Sequence, residues 1–322
     1  MMNKLLEKIK EYDNIVIYRH LRPDGDALGS SQGLKEIIRA SFPKKQVYNN
    51  GNDESKYLEF ISDLDNYNVS EFKGDFLAIV VDTATENRIS GEGYKQAKEI
   101  FKIDHHNDGE NFGNYTWLDK ESPSCSAMIT KFLMTNKNEL KISEKGAYYL
   151  FLGIVTDTGR FKYRGVNSEV MECAAFLLNY NIDLQTLYAN LYVKSPEEFK
   201  AQAFVYNKYK ATPNGVSYVY FSLKDQKKLN LTTEQASSYV NVLENIKGSL
   251  IWILFLEQED KNIRARLRSR YITVNDIANN FKGGGHHQAS GATLKSLKEV
   301  KKLLKIADEK LKEFKNDKKD VF

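Results

Sequence analysis

The chain has 322 residues, with 47 lysines and arginines against 43 aspartates and glutamates, a net charge of +4. That balance is too mild for a surface that wraps duplex DNA, so any basic patch must be local; the length suits two domains and the 41% hydrophobic fraction suits a folded protein. The two cysteines, Cys125 and Cys173, form no C-x-x-C pair, which argues against structural zinc and for a reduced, cytoplasmic setting.

Residues 1–14 read as a short amphipathic helix with charges throughout, lacking the apolar stretch of a signal peptide. Residues 14–18 (NIVIY) form an apolar, β-branched strand that ends at His20-Leu-Arg-Pro-Asp24-Gly-Asp26, and a helix follows over 27–40. Residues 76–81 (FLAIVV) predict a second buried strand ending at Asp82, and 99–103 a third ending at Asp104-His105-His106. Helices are expected over 124–133 and 144–155, the latter running into Asp157, and from 168 to 210 with one break near Ser195-Pro196. After the turn signature Thr212-Pro213-Asn214-Gly215, a second α/β unit begins. Its strands are expected at 216–221, 250–256 and 263–268, and its helices at 233–243, 274–281 and 297–314.

Continuous apolar strands separated by helices predict an α/β fold with a parallel sheet in the N-terminal domain. A smaller C-terminal α/β domain follows. The expected boundaries are 1–182 for the first domain, 183–210 for a helical linker and 211–322 for the second, with an active-site cleft between the domains. The longest apolar runs, 147–155 and 250–256, fall far short of a membrane span.

All five histidines fall in three motifs: His20 with Asp24 and Asp26, His105-His106 after Asp104, and Gly283-Gly284-Gly285-His286-His287. Open parallel sheets carry their sites beyond the carboxyl ends of the strands. His20, Asp24, Asp26, Asp82, His105 and Asp157 all follow strand or helix ends, two imidazoles and four carboxylates with no sulfur. That set over-supplies one metal and suits two divalent ions sharing a carboxylate. Oxygen and imidazole favour Mn²⁺, with Mg²⁺ or another divalent ion also compatible. Near the C-terminus, three glycines let backbone N–H groups approach an anion. His286 and Arg268 add charge-assisted donors. Alternation along a strand would put Arg264, Arg266, Arg268 and Arg270 on one face. Arg88 and Arg160, close to Asp82 and Asp157, are further candidates for substrate contact.

These motifs resemble, in order and approximate spacing, those of the DHH phosphoesterases: His20-x-x-Pro23-Asp24-x-Asp26, Asp82, Asp104-His105-His106 and Asp157. The segment Arg268-Ser269 with Gly283-Gly284-Gly285-His286 is similar to the accessory domain that accompanies many of them. The resemblance covers nearly the whole chain and is nearest the short bacterial oligoribonuclease/pAp-phosphatase subfamily. It implies a metal-dependent hydrolase of very short RNA, giving 5′-mononucleotides, and of 3′-phosphoadenosine 5′-phosphate (pAp), giving AMP. A phosphodiesterase tuned to pApA or cyclic di-AMP is the alternative, and a non-catalytic nucleotide sensor is a third reading. The family implies metal ligation by His20, Asp24, Asp26, Asp82, His105 and Asp157, with Asp82 bridging two Mn²⁺ ions. Asp104 would orient the neighbouring histidines, and His106 would face the scissile phosphate. Arg268, Ser269, Gly283, Gly284, Gly285, His286 and Arg88 are the expected substrate contacts. The partners expected are short RNA, dinucleotides and nucleotide bisphosphates, with no membrane and no duplex DNA; the oligomeric state is open, a homodimer included.

Overall fold

The computed structural model describes residues 1–51, 58, 60–61, 65, 74–106, 109–163 and 165–317, with the side chain of His286 outside the description. It divides into two compact units, residues 1–192 and 193–322. The first begins with α1 (Met2–Glu11), β1 (Asn14–Tyr18), α2 (Gly25–Ser41), β2 (Gln46–Asn50), β3 (Phe76–Val81), β4 (Glu99–Asp104) and β5 (Tyr115–Leu118). It continues with α3 (Cys125–Thr135), α4 (Glu144–Asp157), α5 (Ser168–Leu177) and α6 (Leu184–Tyr192). The five strands form one parallel sheet in the order β2-β1-β3-β4-β5. Strand order reverses between β1 and β3, so the crevice at their carboxyl ends is where such a sheet takes its ligand.

The side chains of β1 and β3 alternate between two cores. Ile15, Ile17, Leu77, Ile79 and Val81 pack with Leu5 and Ile9 of α1 and with the apolar residues of α2, α3 and α4. Val16, Tyr18, Phe76, Ala78 and Val80 form a smaller cluster on the other face with Ile89. Both faces of these strands are covered, which is why their sequences are apolar without interruption. Helices α2 and α4 cross closely because neither carries bulk at the contact. A Cβ on Gly29 would lie 2.5 Å from the Tyr149 carbonyl oxygen and 2.9 Å from Gly153. Gly25 serves the same purpose. It lies outside the positive-φ glycines, and its missing Cβ makes room for the Thr156 side chain, which a methyl there would overlap. The loop carrying Asp24 and Asp26 is thereby laid against the end of α4, which carries Asp157.

Two details depart from the sequence expectation in this unit. Edge strands β2 and β5 are short and half polar, so no apolar run marked them. The helical stretch after residue 168 breaks at Asn181–Asp183 as well as at Ser195-Pro196. Asn181 takes a left-handed conformation (φ 54°), and the Asp183 carboxylate restarts the helix by accepting from the Gln185 and Thr186 N–H groups.

The second unit opens with α7 (Pro196–Lys208), capped by a Ser195/Glu198 capping box. It continues through β6 (Lys210–Ala211), β7 (Ser217–Phe221), α8 (Leu223–Lys228), α9 (Thr233–Ser238), β8 (Ile251–Glu257) and β9 (Ile263–Ser269). It ends with α10 (Asn275–Asn279), β10 (Gly284–His286), β11 (Ala289–Leu294) and α11 (Leu297–Asp317). The sheet order is β10-β11-β9-β8-β7-β6, with only β7–β8 parallel. Ile263, Ala265 and Leu267 of β9 enter the core beneath α10 and α11. Arg264, Arg266 and Arg268 stand on the opposite face, beside Leu256, Leu254 and Trp252 of β8. On β11 the cross-strand partners of Arg264, Arg266 and Arg268 are the small residues Thr293, Gly291 and Ala289.

Candidate metal centre

The carboxyl ends of β1, β3 and β4 and the end of α4 bring His20, Asp26, Asp82, His105 and Asp157 together, with Asp24 at the mouth. Three groups each gather ligand atoms within 4.8 Å: His20/Asp24/Asp82, Asp26/His105/Asp157 and Asp82/His105/His106. Asp82 and His105 each belong to two of them. Asp82 is 2% exposed, and its backbone is in the left-handed region (φ 50°), a conformation costly for a non-glycine residue. The strain aims the carboxylate inward. One of its oxygens lies 3.3 Å from His105 Nε2 and the other 3.6 Å from His20 Nε2. The first of these oxygens is buried without a hydrogen-bond partner.

The imidazoles are oriented from behind. His20 Nδ1 meets the Leu21 carbonyl at 2.8 Å and His105 Nδ1 the Ser122 carbonyl at 3.3 Å. A ring that donates Nδ1–H to a carbonyl keeps its Nε2 lone pair for a metal. Both Nε2 atoms face carboxylates: Asp24 at 3.8 Å for His20, and Asp157 at 3.4 Å and Asp26 at 3.9 Å for His105. His106 differs, because its Nδ1 lies 2.8 Å from Asp104 Oδ1.

Asp26 is held from a distance in sequence. Its two oxygens accept the backbone N–H groups of Cys125 (2.6 Å) and Ser126 (2.9 Å), the open N-terminus of α3. Asp24 caps α2, accepting from the Asp26 and Ala27 N–H groups at 3.1 Å each. The electrostatics are those of an acidic cluster held close together. Burial, then the charge of Asp82, pushes the Asp26 carboxyl up to about 7. Burial and the charge of Asp26 raise Asp157 well above the usual carboxylate range. Burial disfavours the imidazolium forms, yet the carboxylates beside them push His20 and His105 up to about 10. Asp82 is held low despite its burial, by the imidazoles of His105 and His20 that face it. Protons thus stand where cations belong: four carboxylates, two outward-facing imidazole nitrogens and an unpartnered buried oxygen fit a divalent metal centre of hard and borderline donors.

Of the other predicted contacts, Arg88 and Arg160 lie in the first unit and the rest in the second. Arg266 and Arg268 are half-buried, and Arg264 is exposed. Arg266 Nε donates to Ser237 at 2.8 Å, and Arg268 donates to the Leu267 carbonyl at 2.9 Å. Arg270 follows the strand and donates to the Glu244 carbonyl at 3.1 Å. Ser269 is buried, with its hydroxyl committed to the Ile272 carbonyl. Two of the three glycines have packing reasons. A Cβ on Gly283 would lie 2.2 Å from the Gly291 carbonyl oxygen, and one on Gly285 2.7 Å from that of Ala289. At Gly284 a Cβ would meet only Asn279, at 3.7 Å. The segment expected as an open cradle therefore includes a strand, β10, paired to β11. Arg88 is exposed at the end of a short 3₁₀ turn. Arg160 lies over the Tyr192 ring, 5.0 Å from its centroid.

Two features of the centre went unnoticed in the sequence. The grip of α3 on Asp26 spans about a hundred residues and has no local signal. Lys102, buried within β4, does have one: a lysine between the apolar residues Phe101 and Ile103 of a strand.

The model of the DHH family, N-terminal domain, matches residues 14–154, and that of the DHHA1 domain matches residues 215–313. A probable bifunctional oligoribonuclease and PAP phosphatase of Streptococcus mutans is 38% identical, covering 94% of this chain and 98% of its own. A bifunctional oligoribonuclease and PAP phosphatase of Bacillus subtilis is 34% identical, covering 94% and 96%. Among solved structures, an exopolyphosphatase-related protein from Bacteroides fragilis superposes with a TM-score of 0.83 at 25% identity, covering 97% of each chain.

Proposed function

Because this chain belongs to the DHH family of phosphoesterases and hydrolyses phosphoester bonds, we propose that its substrates are very short oligoribonucleotides and pAp. The products are 5′-mononucleotides and AMP. One observation carries the reading: six oxygen and imidazole ligands converge at the switch point of a parallel sheet, in a chain whose relatives bear those activities by name. The two substrates share one chemistry. In each, water forms a new bond to phosphorus, the bond from phosphorus to a ribose O3′ breaks, and the departing O3′ takes a proton. A site that recognises a 3′-esterified phosphate on a small nucleotide serves both.

In this reading His20, Asp24 and Asp82 hold one divalent ion and Asp26, His105 and Asp157 a second, with Asp82 shared and Mn²⁺ the favoured ion. When bound, such ions supply Lewis acidity, neutralising phosphoryl charge and lowering the pKa of water. The protein supplies the rest. Asp104 fixes His106 through Nδ1, leaving Nε2 to bind a phosphoryl oxygen or to give its proton to O3′. Arg268, Arg266 and Arg264 form the basic face of the second unit and offer a terminal phosphate its anchor, with Gly284 as the unobstructed backbone donor. Arg88 is a further phosphate contact.

The test compares kcat/KM with Mn²⁺ for pAp, pApA, cyclic di-AMP and RNA of two to ten nucleotides. Dinucleotides and pAp should be cut fastest and chelator should abolish turnover, since the mild net charge supplies no long backbone track. A kcat/KM that climbs steadily with RNA length, or full turnover after exhaustive metal removal, refutes the reading.

A further inference from the structure

Lys102 is fully buried. A lysine in the interior is retained only with compensation, since an isolated buried ammonium is costly. Its compensation here is unusually complete. Nζ lies 3.1 Å from Asp104 Oδ2 and donates to the carbonyls of Ala84 (2.9 Å) and Glu110 (2.7 Å). The ring of Phe112 closes the remaining side, with its centroid 4.5 Å from Nζ.

These partners come from three places. Ala84 lies two residues beyond Asp82, Asp104 opens the histidine pair, and Glu110 and Phe112 lie on the segment that follows that pair. The Glu110 N–H also donates to the Ala84 carbonyl at 2.8 Å, joining the first and third directly. Gly109 completes the enclosure. A Cβ there would lie 2.8 Å from Asp104 Oδ2 and 3.3 Å from Lys102 Nζ, so the loop can close over the ion pair only without a side chain. Asp104 itself is fully buried, and its other oxygen, Oδ1, faces His106 Nδ1 at 2.8 Å.

We propose that Lys102 is a positioning residue for His106: it fixes the Asp104 carboxylate from one side so that the other side holds the His106 ring by its Nδ1–H, with Nε2 turned to the substrate. The ammonium and the imidazole claim different oxygens of one carboxylate, so neither partner can rotate Asp104 without breaking the other contact. The same ammonium ties the loop after Asp82 to residues 109–112, so that the ring orientation and the placing of those residues are set together. The kinetic part of this inference rests on the phosphoesterase reading above; the ring orientation does not.

The test has two arms. In the kinetic arm, Lys102→Met should keep its Mn²⁺ content and lose kcat on pAp by roughly 10–10²-fold with little change in KM. The double variant Lys102→Met/His106→Ala should be no slower than His106→Ala alone, because the lysine acts through the histidine. Losses that multiply in the double variant, or a Lys102→Met that loses metal and raises KM instead, overturn the proposal. In the spectroscopic arm, ring ¹⁵N shifts of labelled, unaltered protein should show His106 protonated on Nδ1. Lys102→Met should show that preference lost, as should Gly109→Ala, which disturbs the ion pair from the loop side if the lysine variant does not fold. Whatever the turnover, a His106 whose Nδ1 carries no proton in the unaltered protein overturns the positioning role.

Discussion

Loading the centre with Mn²⁺ should release protons, and the number should depend on pH in a way the geometry specifies. In the metal-free protein the carboxylates around His20 and His105 push both up to about 10, against burial, whereas burial and the charge of Asp82 push Asp26 up to about 7. A ligand must be deprotonated to bind. Near pH 6 the incoming ions must displace one proton from each of these three groups; near pH 8 Asp26 has already ionised and two remain. The slope of log K against pH equals the number of protons released. The overall loading constant should therefore rise about a thousandfold per pH unit near pH 6 and about a hundredfold per unit near pH 8. Asp157, also raised, adds in the same direction. Calorimetric titration with Mn²⁺ at both pH values, in buffers of different ionisation enthalpy, reads the proton count directly. Fewer than one proton at both values, or more at pH 8 than at pH 6, would show that these six side chains do not share one cation-binding centre.

The same shifts give the metal-free chain a pH-dependent stability. His20 and His105, raised from 6.5, add stability that is complete below 6.5 and lost as pH climbs through about 10. Asp82, held below 3.8, adds stability present above 3.8 and lost on acidification, whereas Asp26, raised from 3.8, favours the folded state below that value and loses the advantage through about 7. Melting temperatures of chelator-treated protein should accordingly be highest in mild acid and fall toward pH 9; a curve rising across that span contradicts the clustering. Asp82→Ala should strip both ions and lower turnover by more than roughly 10²-fold while leaving the protein folded, and near-normal turnover at limiting Mn²⁺ would remove Asp82 from the shared position. His105→Ala should lose Mn²⁺, whereas His106→Ala should retain it and slow by roughly 10²–10⁴-fold; equal metal loss in the two would erase the distinction. Gly29→Ala forces a Cβ to within 2.5 Å of the Tyr149 carbonyl oxygen, and urea denaturation should find it destabilised by about 1–3 kcal/mol.

What the chain discloses by itself is local. Strands β1 and β3 are apolar on both faces because both faces are buried, and β4 keeps Phe101 and Ile103 on its core face, so each stands out and points to the acid or imidazole at its end. That is enough to read the parallel α/β class and to nominate His20, Asp24, Asp26, Asp82, His105 and Asp157 before any distance is known. Strands β2, β5, β10 and β11 carry no such run, since their pairing is decided by neighbours and not by their own composition. Three decisions belong to the tertiary structure alone. Gly25 and Gly29 have reasons only once α4 lies against them, because a steric demand needs its second surface. Asp26 meets the N-terminus of α3 across 99 residues, and no spacing rule reaches that far. Lys102 looks misplaced in a strand until Asp104 and the carbonyls of Ala84 and Glu110 are seen to surround its charge. Composition and periodicity record which residues are buried or reactive, whereas only the folded chain decides which of them meet, because contact energies act between surfaces that the sequence holds far apart.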